Sequence, residues 1–317
     1  MPDGPMNPEK IRVSYGTALV LGLKRGTQDA PPTTAYLLWD TGCHGACSFC
    51  PRANGNLETQ RLSRIVWPEF PTETVIDALS REPRPFGRVC MQTGWNPDTE
   101  ESLIDISKYF IDRHFTLSVT IHPSQTALAA RLLGQGVDHV GIGLDAAGAD
   151  TYQQHKKRRH DADYPAVLDL CRAWPGRVEV HLIAGLGDSE ETFIRRMDAL
   201  MDAGGDIALF AFTPTNGSGS PPPPSSYRRL QAWRWLRRNG SVTIDRAVFR
   251  DGLLVDFGLP PHALRRLLSD GLAFRTSGCG ACNRPYYNER PGGVMYNYPR
   301  PLTAEESDIA ISEALSL

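Results

Sequence analysis

The chain has 317 residues, 41% of them hydrophobic, with a formal net charge of −2 and no block of like charge. That suits one large α/β domain with an appendage, or two small domains, and argues against nucleic-acid or anionic-membrane binding. No apolar run approaches the ~20 residues of a membrane span, and the opening stretch lacks the basic-then-apolar plan of a signal peptide, so a cytoplasmic protein is expected.

Residues 1–33 read as an N-terminal extension, with an apolar run from Thr17 to Leu23. From there short apolar runs alternate with amphipathic helical patterns. Strands are expected at Thr34–Trp39, Arg88–Gln92, Leu117–Ile121, Val137–Leu144, Val178–Ile183 and Ile207–Phe212. Asp98 with Glu101 makes a capping-box-like helix start ahead of Leu103, Ile106 and Phe110. Ser124 caps a helix that stops near Gly134 and Gly136. Asp188 with Glu191 repeats the capping logic before Phe193, Met197, Leu200 and Met201. Strand–helix alternation implies parallel strands joined by right-handed crossovers. An eight-unit barrel of ~250 residues implies ~30 residues per unit, so six units fit residues 34–240. The expected fold class is α/β, a partial (β/α)6 barrel with chemistry on the loops after the strand ends. The run Pro221–Pro224 reads as a stiff loop before the last helix. Residues 241–317 form a C-terminal extension. It holds a second cysteine pair, a loop from Asn283 to Arg300, and a closing helix with its own capping box in Thr303 and Glu306.

The seven cysteines, at 43, 47, 50, 90, 171, 279 and 282, are odd in number and clustered. In a reducing compartment that points to metal or redox work rather than a disulfide framework. Cys171, in an expected helix, reads as a small buried hydrophobe. Cys43, Cys47 and Cys50 follow C-x3-C-x2-C directly after the first expected strand. Three thiolates on one loop can bind three irons of a 4Fe–4S cluster and leave the fourth open to a substrate or cofactor. Zinc is the alternative, but structural zinc wants four ligands, commonly as two C-x2-C halves.

With this spacing in this place, the sequence resembles the radical S-adenosylmethionine (SAM) superfamily over residues 34–240. The resemblance implies that the open iron chelates SAM. An electron from the cluster would then cleave SAM to a 5′-deoxyadenosyl radical that abstracts hydrogen from an unactivated carbon. It also implies SAM contacts. Phe49 matches an aromatic packed near the adenine, against the alternative of a plain core aromatic. Gln92 and Thr93, in Met91-Gln92-Thr93-Gly94, fall where family members bind the SAM amino group, here through backbone. Asp145 would contact the ribose or carboxylate, or else cap the next helix. Gly185 and Gly187 resemble the Gly-rich adenine-side motif, where glycine permits close backbone approach.

Cys279 and Cys282 form a C-x2-C half-site outside the barrel. Cys90, read as ending the second strand and pointing into the barrel mouth, is the expected third ligand, and Ser277 or an arginine a candidate fourth. A structural zinc half-site or two spare thiols is the plain alternative. The sharper reading is an auxiliary iron–sulfur cluster facing the SAM site and able to hand sulfur to a substrate radical.

The segments Lys10–Lys24, Leu62–Pro68 and Ser277–Gly293 are similar to the biotin synthase-related radical SAM group. That group includes a component of the two-protein lipoyl synthase of archaea and some bacteria. The similarity implies sulfur insertion into an octanoyl chain on a lipoyl carrier protein, a second radical SAM component as partner, and a ferredoxin- or flavodoxin-type reductant. A carrier-protein substrate needs an open barrel mouth, which Arg284, Arg290, Tyr286 and Tyr287 would line, against the alternative of an ordinary structured loop. Single-chain lipoyl synthase differs in having three further cysteines before the SAM motif, and biotin synthase in placing its second-cluster cysteines mostly on barrel strands. Two rivals remain. One is another radical SAM reaction on a small molecule or peptide, and the other a non-catalytic iron–sulfur or zinc protein.

Overall fold

The computed structural model describes residues 9–39, 41–56, 58–215, 219–289 and 292–316. Strand β1 (Lys10–Val13) and helix α1 (Tyr15–Val20) precede β2 (Ala35–Trp39). A short hairpin, β3 (Arg61–Leu62) and β4 (Ile65–Val66), is followed by β5 (Glu69–Pro71), α2 (Thr72–Leu79) and β6 (Val89–Thr93). Strand and helix then alternate through α3 (Glu100–Asp112), β7 (Leu117–Ile121), α4 (Thr126–Gln135), β8 (His139–Asp145), α5 (Ala149–Lys156), α6 (His160–Ala173), β9 (Val178–Ala184), α7 (Glu190–Asp202), β10 (Asp206–Ala211) and α8 (Pro224–Arg238). The tail carries β11 (Val248–Arg250), β12 (Leu253–Asp256), α9 (Pro261–Leu268) and α10 (Ala304–Leu315).

The six expected strands are β2, β6, β7, β8, β9 and β10. They lie side by side in chain order, each parallel to the next. Sequential parallel order is what right-handed crossovers produce, and the result is a partial (β/α)6 barrel. The sheet continues beyond β2 into antiparallel β1 and β5, so the segment before residue 34 joins it. Four residues of alternation in β1 were too few to signal a strand whose partners lie 24 and more residues away.

Strand alternation sorts side chains into two layers. Leu37, Met91, Val119, Ile142, Val180 and Leu209 face out and pack in the main core under the helices. Tyr36, Cys90, Ser118, Glu179, His181 and Phe210 face into the barrel and line a cavity. Parallel strands covered on both faces are ordinarily apolar throughout, so these polar positions mark a lumen.

Three expected helix caps are replaced by other contacts. Asn96, not Asp98, caps the approach to α3, its side chain accepting the Asp98 N–H at 3.1 Å ahead of a 3-10 turn over Pro97–Thr99. Ser189, not Asp188, caps α7. Asp188 reaches across to accept the N–H groups of Ala147 and Gly148, both at 2.9 Å. The Ser124 hydroxyl pairs with His122 Nδ1 at 2.8 Å, and Gln125, at the N-cap of α4, makes no side-chain capping bond. The Thr303–Glu306 capping box forms as expected. Gly136 closes α4 at φ 113°, where glycine carries no steric penalty. Pro224 opens α8, where its fixed φ suits a first helical residue. Cys171 is fully buried in α6. Among the described residues no helix is long and apolar enough to cross a membrane.

The tail after α9 crosses the barrel base. Ser277 Oγ accepts the Leu209 N–H at 2.7 Å, Arg88 Nε donates to Gly280 O at 3.1 Å, and Asn283 Oδ1 accepts the Thr33 N–H at 3.0 Å. These bonds carry residues 277–283 from β10 to the starts of β6 and β2.

Candidate functional site

The Cys43–Cys50 loop leaves the C-terminal end of β2. It lies on the end of β6 because Gly94 has no side chain. A β-carbon there would sit 2.2 Å from Gly42 O and 3.0 Å from Cys43 Cβ. The N–H groups of Gly45 and Trp95 each donate to Cys43 Sγ at 3.4 Å. Gly45 also keeps room between two sulfurs, since a β-carbon on it would meet Cys43 Sγ at 3.2 Å and Cys47 Sγ at 3.7 Å. Burial pushes the Cys50 thiol up to about 12 and raises that of Cys47, whose shift Lys156 opposes. Such thiols give up their protons on binding metal. Among the described residues no three His, Cys, Asp or Glu side chains are gathered tightly enough for one ion. A cubane cluster spreads its thiolates over separate irons and asks for a wider triangle than zinc does. Three thiols on one loop, with amides aimed at the sulfur of one, fit that cluster.

Beside the loop lies a charged pair that the sequence reading missed. Lys156, at the end of α5, places Nζ 2.6 Å from Asp145 Oδ2 and 2.8 Å from Gly143 O. The side chains are 4% and 14% exposed. Lys156 also reaches Cys47 and stands over the Phe49 ring at 6.0 Å. Asp145 ends β8 at φ 69°, a strained conformation for a residue with a β-carbon, of the kind found at functional sites. Its place as a strand-end acid is as expected; its partner was hidden 11 residues on, inside a helix with no apolar signal.

The other SAM-contact candidates are held by their neighbours. Gln92 and Thr93 are the last two residues of β6. Gln92 Nε2 donates to Cys90 Sγ and Thr120 Oγ1, both at 3.1 Å, and Thr93 Oγ1 donates to Thr120 O at 2.8 Å. Gly185, at φ 101°, abuts Pro222 and Phe212, whereas Gly187, at φ 124°, faces open space. Trp95 stacks on His122 with ring centroids 4.6 Å apart and lies under Arg158. Burial and nearby Lys156 and Arg158 push the His122 pKa down to about 2, so the ring stays neutral.

The second cysteine group assembles at the other end of the strands. Cys90 is the second residue of β6, not its last, so it points into the lower barrel rather than the mouth. Cys282 packs against Cys90 and Tyr36. Tyr36 Oη lies 3.4 Å from Cys282 Sγ, and Ser118 Oγ 3.5 Å from Cys279 Sγ. Burial pushes the Cys90 thiol up to about 12. The neighbouring Cys282 thiol and burial raise the Cys279 thiol, whereas Cys279 and the Arg284 charge lower that of Cys282. All three cysteines line a cavity of about 510 Å³ with Leu19, Ile65, Trp67, Phe210 and Tyr287. Ser277 does not line it; its hydroxyl is spent on Leu209. Arg284, Tyr286 and Tyr287 do, while Arg290 lies outside the described residues. The Arg284 guanidinium sits over Phe210 at 3.8 Å.

Glu179 and His181 are the other residues missed. His181 Nε2 lies 3.1 Å from Glu179 Oε1. Burial pushes the Glu179 carboxyl up, but His181 and the Arg284 charge outweigh it and hold it below the usual carboxylate range. The signal was available: two charged or polar residues alternate within an otherwise apolar strand, Val178-Glu179-Val180-His181-Leu182.

Residues 40–200 match the sequence model of the Radical SAM superfamily. The chain belongs to the radical SAM superfamily. Among solved structures, HydG, a maturase of the FeFe-hydrogenase, superposes at TM-score 0.50 and 15% identity, over 69% of this chain and 51% of HydG. Methylornithine synthase (PylB) gives 0.48 and 14%, over 71% and 73%. Coproporphyrinogen III oxidase (HemN) from Escherichia coli gives 0.40 and 15%, over 63% and 49%. Identities this low speak to fold alone. A comparison with curated proteins finds no match. Membership in the superfamily implies a 4Fe–4S cluster and SAM, and the loop that fits them is Cys43–Cys50. When bound there, they supply a 5′-deoxyadenosyl radical for hydrogen abstraction. This radical SAM protein's own residues orient the loop (Gly94, Trp95), place a cation beside it (Lys156), and enclose a lumen beneath it.

Proposed function

We propose that this radical SAM enzyme inserts sulfur into an octanoyl chain carried on a lipoyl carrier protein, acting with a second radical SAM component and a ferredoxin- or flavodoxin-type reductant. Cys90, Cys279 and Cys282 would hold an auxiliary iron–sulfur cluster that is the sulfur source. One observation carries the reading. A barrel-strand cysteine and two tail cysteines meet inside the barrel, on the wall of a cavity lined largely by apolar side chains. A chain in that cavity would lie between a radical formed at the strand ends and a sulfur source at the strand starts. The volume falls within the range of small-molecule sites, roughly 300–1,000 Å³.

The test is mass spectrometry of an octanoyl-lysine peptide incubated with reconstituted enzyme, SAM and reductant, with and without the second component. A gain of sulfur that disappears in Cys279→Ala is expected. Formation of 5′-deoxyadenosine with no gain of sulfur under either condition would overturn sulfur insertion and leave another radical SAM reaction as the function.

A further inference from the structure

Glu179 is 7% exposed, and its Oε2 is buried with no hydrogen-bond partner. A buried carboxylate oxygen left unpaired is costly, and natural proteins keep such groups where a ligand or metal completes them. The other oxygen, Oε1, is fixed by His181 at 3.1 Å, which aims the free one. Gly278 leaves room beside it. A β-carbon on that residue would stand 3.2 Å from Glu179 Oε2 and 3.3 Å from Cys282 Sγ. The two atoms therefore flank one small gap that glycine leaves open. Glu179 also acts electrostatically on all three cysteines of the group.

We propose that Glu179 is the fourth protein ligand of the auxiliary cluster, binding through Oε2 and completing a three-cysteine, one-carboxylate set. The proposal rests on the auxiliary cluster suggested above. The neighbouring candidates are committed elsewhere. Ser277 accepts the Leu209 N–H and does not line the cavity. Arg284 donates to Ser277 O at 2.5 Å and stacks on Phe210, and a guanidinium has no lone pair to offer a metal. His181 holds Glu179, the partnership by which a second residue orients a metal-binding one. Tyr36 Oη accepts the Arg284 N–H at 2.9 Å. A carboxylate is a harder ligand than thiolate, so the iron it holds would differ from the other three.

The test uses the full chain, reconstituted anaerobically with iron and sulfide, and reads iron, sulfide and the EPR spectrum of the reduced protein. Wild type should carry about eight irons per chain if both sites hold cubanes. The companion protein is Cys43→Ala/Cys47→Ala/Cys50→Ala, which isolates the auxiliary site. In it, Glu179→Ala should cut bound iron and sulfide at least two-fold or shift the EPR signal, and Glu179→Cys should restore occupancy with an altered signal. In the otherwise wild-type chain, Glu179→Ala should leave the SAM-site signal intact, which separates ligand loss from misfolding. If the triple variant keeps the same iron content and EPR spectrum with Glu179 intact, with Glu179→Ala and with Glu179→Cys, the ligand assignment alone is overturned. No iron, or zinc without sulfide, in the triple variant with Glu179 intact would overturn the auxiliary cluster and this assignment with it.

Discussion

Lys156→Met should be among the most damaging single substitutions near the cysteine loop. The ammonium is 4% exposed and bonds Asp145 Oδ2 at 2.6 Å and Gly143 O at 2.8 Å; the carboxylate is 14% exposed. Both charges are thus largely out of water, and removing one partner strands the other. Breaking a buried pair this way costs about 3–5 kcal/mol. With a urea m-value of about 3 kcal/mol/M, the unfolding midpoint of the metal-free protein should fall by about 1–1.7 M. The double variant Asp145→Asn/Lys156→Met removes both charges and should recover much of that loss, as the double-mutant cycle requires of coupled neighbours. Burial pushes the Lys156 pKa down, but Asp145 and the nearby thiols outweigh it and hold it above the ordinary lysine value. A raised pKa stabilises below the unfolded value, so the contribution from the lysine charge should be constant across neutral pH and fade as the pH rises past about 10.4 toward the folded value. A midpoint change below about 0.3 M, or single losses that simply add in the double variant, would refute the idea that these charges depend on each other.

Further outcomes follow from individual contacts. In Gly94→Ala the new β-carbon would collide with Gly42 O at 2.2 Å, displacing the cysteine loop. Iron bound at the SAM site and 5′-deoxyadenosine formation should drop at least ten-fold while far-UV circular dichroism stays unchanged. His122, with its pKa driven down to about 2, should show no imidazole titration by NMR between about pH 5 and 8; a midpoint near the ordinary value of about 6.5 would contradict its burial under Trp95. Arg300 holds Glu306 down to about 2. The stability difference between wild type and Glu306→Gln should therefore be steady above about pH 5 and vanish as pH falls toward about 2. For so exposed a pair it should stay below about 1 kcal/mol, as chemical unfolding at each pH would show.

Local patterning made the barrel legible. Each parallel strand carries apolar residues at least at alternate positions and is bounded by turn signals, because parallel strands must be apolar on the face that meets the helices. Val137–Leu144 against the observed His139–Asp145 is the largest displacement. The helix caps were less legible because Asp98, Asp188 and Ser124 each had a plausible local role. For Asp188 a distant partner, the Ala147–Gly148 backbone, decided the outcome. β1 and β5 escaped notice because their stability comes from pairing with each other and with β2 rather than from any pattern of their own.

The sequence by itself determined that Cys43, Cys47 and Cys50 would sit together after the first parallel strand, since so short a loop cannot place them far apart. It also determined the strand order, because short crossovers leave little choice. Only the tertiary structure decided what meets those cysteines and what meets the second pair. Lys156 reaches Cys47 and Asp145 because α5 turns back over the end of β8, and Cys90 meets Cys282 because the tail crosses the barrel base. Glu179 joins them because β9 points it into the barrel, in register with Gly141, Thr120 and Gln92 and so one inward-facing position further along the strands than Cys90 and Ser118. Contacts between residues so far apart in the chain carry no period in it, so only the closing of the barrel brings them within reach.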